Sequence, residues 1–350
     1  MSHIMFHQRG AAGIVTLNRP EALNALSIEM LQALYAQLHL WQTDASIKLV
    51  IITSSSSRAF CAGGDVRQAV SEIQKAGGAP AQRYFQTEYG IHAMLPSLSK
   101  PILSLVDGVV MGGGLGLARN SGVMVVSETI KYAMPETAIG LFPDVGANIF
   151  LRHAGLSKAL MLGMTGTIIG AGDVMAWGLA DICVPASQFD ALTTALSMIS
   201  EPSDIQDILA GFSIAAPKPD LALSNSLIDE IFTGSLTKIC GKLEQNTNQT
   251  TQTWREAMQA RCPASIAAIH YLLSQPAPAS LEMALNLDFK LALNMTGRPD
   301  FVEGVRAILI DKDNAPNWSP SQLAVVDAAF LQNLFDFDGL PDLQQLAVST

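Results

Sequence analysis

Glu136 and Asp144 are the only acidic residues between Glu128 and Arg152. They stand among apolar residues, and Pro135, Gly140, Pro143 and Gly146 punctuate the chain around them. Such punctuation predicts an irregular loop in which the two carboxyl groups need not be far apart. A carboxyl group in apolar surroundings has a raised pKa and can serve as general base or acid. Two glycine-rich pieces lie upstream. In Cys61-Ala62-Gly63-Gly64-Asp65, small residues let a ligand approach the backbone closely. At a loop-to-helix junction the amide N–H groups can point outward at an anion. In Met111-Gly112-Gly113-Gly114-Leu115-Gly116, successive glycines enter a helix at a cost of up to about 1 kcal/mol each relative to alanine. Either close helix packing or a backbone donor facing a substrate oxygen requires the missing side chains. One N–H from each piece would make an oxyanion hole for an enolate or a tetrahedral thioester adduct. Losing one such donor typically costs about 3–4 kcal/mol.

These groups need a scaffold. Residues 13–17, 49–53, 102–106 and 123–126 read as strands, the last three continuously apolar as in buried sheets, and 181–184 reads as a short final strand. Residues 27–42 have helical spacing: Ile28, Leu31, Leu34, Tyr35, Leu38 and Trp41 fall mostly on one face, with Ser27 placed as N-cap. Alternating strands and helices argue for the α/β class. After about Ser187 the strand signals fade. Helical patterns then cover 221–232, 251–259, 264–274, 281–294 and 301–310, and another apolar periodic segment spans 323–334. The expected organisation is a core over 1–200 and a helical region over 201–350 that covers the site.

Composition narrows the function classes. The 350 residues carry 21 Lys+Arg against 31 Asp+Glu, a net charge of −10, with 49% apolar and 15% charged residues. An average soluble domain has about 25% charged residues, so disorder is excluded, and the acidic balance argues against nucleic acid as a partner. The longest charge-free stretch, 262–281, is broken by Pro263, Pro276 and Pro278, so no membrane span is expected. Residues 1–10 lack an apolar signal core. Cys61, Cys183, Cys240 and Cys262 lie far apart and read as reduced thiols, which points to a cytoplasmic protein with no zinc site and no disulfide framework. GxGxxG, a P-loop, a serine-hydrolase elbow and HExxH are all absent.

The four pieces, in this order, resemble the crotonase (enoyl-CoA hydratase/isomerase) superfamily, and within it the 3-hydroxyisobutyryl-CoA hydrolase branch. The match runs from Asn18-Arg19-Pro20 and Asn24-Ala25-Leu26 through CAGGDVR at 61–67, KP at 100–101, DGVVMGGGLGL at 107–117 and AMPETAIGLFPDVG at 133–146. It continues to DFVEGVRAILIDKD at 300–313, with Pro316 and Trp318. The stretch 133–146 and the EGVRAILIDKD segment are the features specific to the hydrolase branch.

The resemblance implies a spiral of ββα units with a C-terminal helical region. It implies an oxyanion hole from the N–H groups of Gly64 and Gly113, and catalytic acids at Glu136 and Asp144. Gly63, Asp65, Gly112, Arg19 and Arg67 would line the substrate, with Arg58 a further candidate for the phosphates. The implied reaction is hydrolysis of a short branched 3-hydroxyacyl-CoA thioester, most simply 3-hydroxyisobutyryl-CoA in valine catabolism. Glu136 would attack the thioester carbon or activate a water. Asp144 would orient the substrate's 3-hydroxyl or assist proton transfer. Coenzyme A enters as part of the substrate, so no separate cofactor or metal is implied. Relatives form trimers or hexamers, whereas a long C-terminal region could serve the same purpose in a monomer. Two alternatives use the same elements: enoyl-CoA hydration or isomerisation, and acyl-CoA binding without catalysis. A hydratase carries a second glutamate where this chain has Gly116. Ala147 and Asn148 follow PDVG where such sequences often run on in glycine, so Asn148 is expected to alter the acyl pocket.

Overall fold

The computed structural model describes residues 2–77, 81–221 and 225–344. Its strands are β1 (Ile4–Arg9), β2 (Ala12–Leu17), β3 (Leu49–Ser54), β4 (Ala59–Cys61), β5 (Ile102–Val106), β6 (Val109–Met111), β7 (Gly122–Val126), β8 (Lys131–Ala133) and β9 (Ile182–Cys183). A six-stranded sheet has the order β1-β2-β3-β5-β7-β9, and a three-stranded sheet has the order β4-β6-β8. Only the β1–β2 pair is antiparallel; the other pairs run parallel. Each of the pairs β3–β4, β5–β6 and β7–β8 sends its first strand to the large sheet and its second to the small one. A helical segment then leads back: Val66–Lys75 and Gln82–Met94, then Gly113–Asn120, then the 3₁₀ turn Glu136–Ile139. This is the expected spiral of ββα units.

The small sheet positions the site. β4, β6 and β8 lie side by side and parallel, so the segments leaving their C-terminal ends emerge together. Those segments are Ala62–Asp65, Gly112–Gly116 and Pro135–Glu136. The chain thereby gathers pieces more than seventy residues apart at one edge, because parallel strands expose the same end on the same side.

The long elements agree with the sequence reading. β2, β3, β5, β7 and β9 fall on the expected strands. The helix Ile28–Thr43 begins at Ser27, whose hydroxyl accepts the Met30 N–H. Elsewhere the structure corrects the expectation. The helix expected over 221–232 is described as Asn225–Ile231, with 222–224 outside the described residues. The segment 301–310 is helical through Val305 and then widens to a π-helix, Arg306–Ile310. The segment 323–334 is split into a 3₁₀ turn, Leu323–Val325, and a helix, Ala328–Leu334, because the Asp327 carboxylate accepts the Phe330 N–H and starts a new helix.

The C-terminal helices abut the catalytic loops directly. Side chains from both halves of the chain share one apolar core, Leu115, Phe142, Val145, Leu285, Phe289 and Phe301 among them. The helix Pro299–Val305 lies against the Glu136 turn with almost no space between backbones. A Cβ on Gly304 would stand 2.5 Å from the Ile139 carbonyl carbon, and one on Gly140 would stand 2.5 Å from the Asp300 backbone. We expect Gly304→Ala to cost about 1–3 kcal/mol, the usual penalty for overpacking a filled core. Urea denaturation measures it; an unchanged midpoint would mean that the two backbones are not in fixed contact.

Candidate active site

The GGG segment is built from side chains that must be missing. Gly112 has φ 48 and ψ −127, a conformation that L side chains rarely adopt, and a Cβ there would lie 2.6 Å from Glu136 Oε1. A Cβ on Gly113 would lie 2.1 Å from Glu88 Oε1 and 3.2 Å from the Gly64 nitrogen. So Gly64 and Gly113 face each other, as the sequence reading required. Gly63 O accepts the Leu26 N–H and Leu26 O accepts the Asp65 N–H, which turns the intervening Gly64 N–H away from that bridge. Neither the Gly64 nor the Gly113 N–H has an acceptor among the described residues. Two free amide donors side by side can hold a developing oxyanion.

Three carboxyl groups form a buried cluster beside this segment. Glu136 opens its 3₁₀ turn and is 6% exposed. Asp144 is 4% exposed, and its Oδ2 accepts the Tyr89 O–H at 2.5 Å. Glu88, 3% exposed, sits over Gly113 and Gly64 and was not among the residues that sequence reasoning singled out. Its helix, Gln82–Met94, also escaped the sequence reading. The signal was there: Tyr84, Glu88 and His92 recur every fourth residue, with Phe85 and Tyr89 beside them, on one buried face.

Burial sets the proton affinities. It pushes Glu136 well above the usual carboxylate range, and the neighbouring Asp144 and Glu88 charges push further. Burial likewise lifts Glu88, with Asp144 adding to it. Asp144 is also raised by burial, to about 6, with the Tyr89 O–H and a backbone N–H opposing the rise. Asp144, at about 6, is therefore largely ionised near neutral pH. Burial also pushes the Cys61 thiol up to about 12, which rules it out as a thiolate nucleophile.

The remaining candidates fall in different places. Gly63 lies against Met111 O and the Gly113 nitrogen. Asp65 precedes the helix Val66–Lys75 without capping it; its carboxylate pairs with Arg19 at 2.6 Å. Arg19 also donates to Ala25 O, so it ties the 19–26 loop to the glycine turn. Arg67 is exposed and donates to Leu309 O in the C-terminal motif. The exposed Arg58 side chain makes no bond to any described residue. Asn148 does not face the carboxyl cluster. Its Oδ1 accepts from Arg152, which also donates to Leu273 O and Gln275 O at the end of the helix Pro263–Ser274. The departure from a glycine run thus makes a clamp between helices.

Comparison with known proteins places this geometry. The enoyl-CoA hydratase/isomerase family model matches residues 12–335. The chain is 36% identical to the 3-hydroxyisobutyryl-CoA hydrolase, mitochondrial, of Gallus gallus, over 97% of this chain and 90% of that protein. It is 33% identical to the Homo sapiens protein of the same name, over 97% of this chain and 90% of that one. Among solved structures, a Rhodobacter sphaeroides enoyl-CoA hydratase superposes with a TM-score of 0.90 at 34% identity, covering 98% of this chain and all of the other. A carnitinyl-CoA dehydratase from Mycobacterium thermoresistibile gives 0.88 at 32% identity, covering 99% of each. The two-sheet spiral, the paired glycine donors and full-length similarity agree, and the chain belongs to the enoyl-CoA hydratase/isomerase family.

Proposed function

We propose that the chain hydrolyses a short branched 3-hydroxyacyl-CoA thioester, 3-hydroxyisobutyryl-CoA in the first instance, to the free acid and CoA. One observation carries the choice within the family: there is no room for a hydratase's second glutamate. A Cβ on Gly116 would already lie 2.6 Å from Val145 Cβ and 2.9 Å from His92 Cε1. Water addition to an enoyl group is therefore disfavoured, while the acids of the hydrolase pattern, Glu136 and Asp144, stand in one buried cluster. The names of the Gallus and Homo relatives point the same way.

In this reading the thioester carbonyl oxygen lies between the Gly64 and Gly113 N–H groups. Ionised Glu136 either attacks the carbonyl carbon, expelling CoA thiolate and leaving an acyl–glutamate anhydride for water to open, or takes a proton from a water that attacks the same carbon. Both routes end in one carboxylic acid and one thiol. Single turnover in ¹⁸O-water tests for the anhydride: label enters Glu136 when water opens it at the glutamyl carbonyl, and the general-base route never labels Glu136. Asp144, steadied by the Tyr89 O–H, accepts from the substrate's 3-hydroxyl.

Of the three candidate arginines, Arg58 alone has a side chain without a partner among the described residues, which makes it our candidate for the CoA phosphates. We expect Arg58→Ala to raise KM for acyl-CoA a few-fold at low salt with kcat unchanged, in line with up to about 1 kcal/mol for an exposed ion pair. Initial rates at two ionic strengths test this; a KM equal to wild type in both would remove Arg58 from the binding site. Three buried cysteine thiols and one half-buried, with no disulfide among the described residues, support our placing the enzyme in a reducing compartment, the cytoplasm in our reading.

A further inference from the structure

His92 belongs to the buried face that carries Glu88, one helical turn before it. It is fully buried, and neither ring nitrogen has a partner among the described residues. Burying a polar group without a hydrogen bond is costly, so an imidazole kept in this state needs a partner that comes from outside the chain. Burial also lowers its pKa to about 3, so the ring is neutral at working pH, with one donor nitrogen and one acceptor.

The location of the ring says where that partner would stand. Gly116 lies one helical turn beyond Gly113, on the same face of the helix Gly113–Asn120. His92 Cε1 and Val145 Cβ both stand within 3 Å of the point a Gly116 Cβ would occupy, at 2.9 and 2.6 Å. Val145 follows Asp144 directly. The ring therefore stands with Val145, the neighbour of Asp144 in the chain, against the Gly116 side of the glycine helix. Resting on the hydrolase reading above, we propose that His92 is a specificity-determining residue that donates a hydrogen bond to the oxygen of the acyl chain's 3-hydroxyl group. That hydroxyl has one proton and two lone pairs. Its proton goes to Asp144, whose other oxygen already accepts from Tyr89, and one lone pair takes the His92 N–H. A methyl group at that position would leave both protein groups unpaired in a dry site, which is a strong means of rejection.

The test compares free-CoA release from 3-hydroxyisobutyryl-CoA and isobutyryl-CoA. His92→Leu keeps the volume and removes the donor. It should lower kcat/KM for the hydroxylated thioester about tenfold or more and change the plain one less than twofold. His92→Asn, which keeps a donor, should retain most of the wild-type preference. Should the leucine variant not fold, His92→Ala carries the same expected ratio. Equal losses on both thioesters would make His92 a packing residue and overturn the proposal, as would an unchanged preference. A wild-type enzyme that releases CoA from neither thioester would instead overturn the hydrolase reading beneath it.

Discussion

Glu136→Gln should reduce release of CoA from 3-hydroxyisobutyryl-CoA by at least a factor of about a thousand. General-base catalysis alone contributes roughly 10²–10⁴-fold, and loss of a nucleophile costs more. The substitution keeps the side chain's shape and size, so Gly112 still has room beside it. Stability should rise. Burial and the neighbouring carboxylates raise the proton affinity of Glu136 in the folded chain above its ordinary value. A group so raised gives its full contribution below its unfolded pKa and loses it as pH rises through the folded one. Above the ordinary carboxylate range the folded chain therefore carries a cost for ionising Glu136 that the unfolded chain does not, and glutamine removes that cost. A melt at pH 7 and a thiol assay together test the account. Wild-type release by Glu136→Gln would show that Glu136 has been misassigned.

Asp144→Asn should have the second-largest effect, and it should appear in both rate and pH profile. Asparagine keeps an acceptor for Tyr89 but cannot accept equally well from the substrate hydroxyl. We expect kcat/KM to fall roughly a hundredfold on 3-hydroxyacyl thioesters and less on unsubstituted ones, since the loss is that of a charged partner inside a dry site. The acid limb of the profile should also move to lower pH. Asp144 is the neighbouring charge that raises Glu136 most. With that charge gone, Glu136 ionises at lower pH and the active form persists into more acid solution. In the wild type, activity should fall on acidification through the raised values of this cluster. Asp144 itself rises from 3.8 to about 6, so its contribution to stability is full below about 3.8 and is lost as pH climbs to about 6. Equal losses on hydroxylated and plain substrates would remove Asp144 from hydroxyl recognition.

Glu136 and Asp144 could be read directly, because isolated acids between prolines and glycines break the surrounding apolar pattern. The two glycine pieces could be read as a pair of backbone donors because both followed strands and opened helices, while the choice of Gly64 and Gly113 within them came from the family resemblance. The buried strands β3, β5 and β7 announced themselves through nearly unbroken apolar runs. The small sheet did not. β4, β6 and β8 have three residues each, too short for any periodicity, yet they are what brings the loops together. The helix Gln82–Met94 was hidden for a different reason. Polar Glu88 and His92 stand on its buried face, so the apolar stripe that marks a helix is interrupted where the helix meets the site. The arginines misled in the usual way. Arg19 looked like a phosphate ligand from its position, and pairing with Asp65 is a matter of three-dimensional proximity that spacing alone does not reveal.

The contacts of the C-terminal region also sharpen its place in the account. Asp288, fully buried on the helix Leu281–Thr296, accepts the Gly146 N–H at 2.8 Å. Gly140 and Gly304 bring the helix Pro299–Val305 against the other end of the same loop. Glu136 and Asp144 are thus held from behind by residues more than a hundred positions away. That arrangement explains why a loop rich in proline and glycine can keep two carboxyl groups in fixed places.

The central claim is that this site breaks thioesters and does not hydrate enoyl groups. One measurement tests it most directly: purified protein is given 3-hydroxyisobutyryl-CoA and crotonyl-CoA in parallel, with free thiol and enoyl absorbance followed together. The account predicts thiol release from the first at a rate abolished by Glu136→Gln, and no loss of enoyl absorbance from the second. Hydration of crotonyl-CoA without thiol release from either substrate would contradict it.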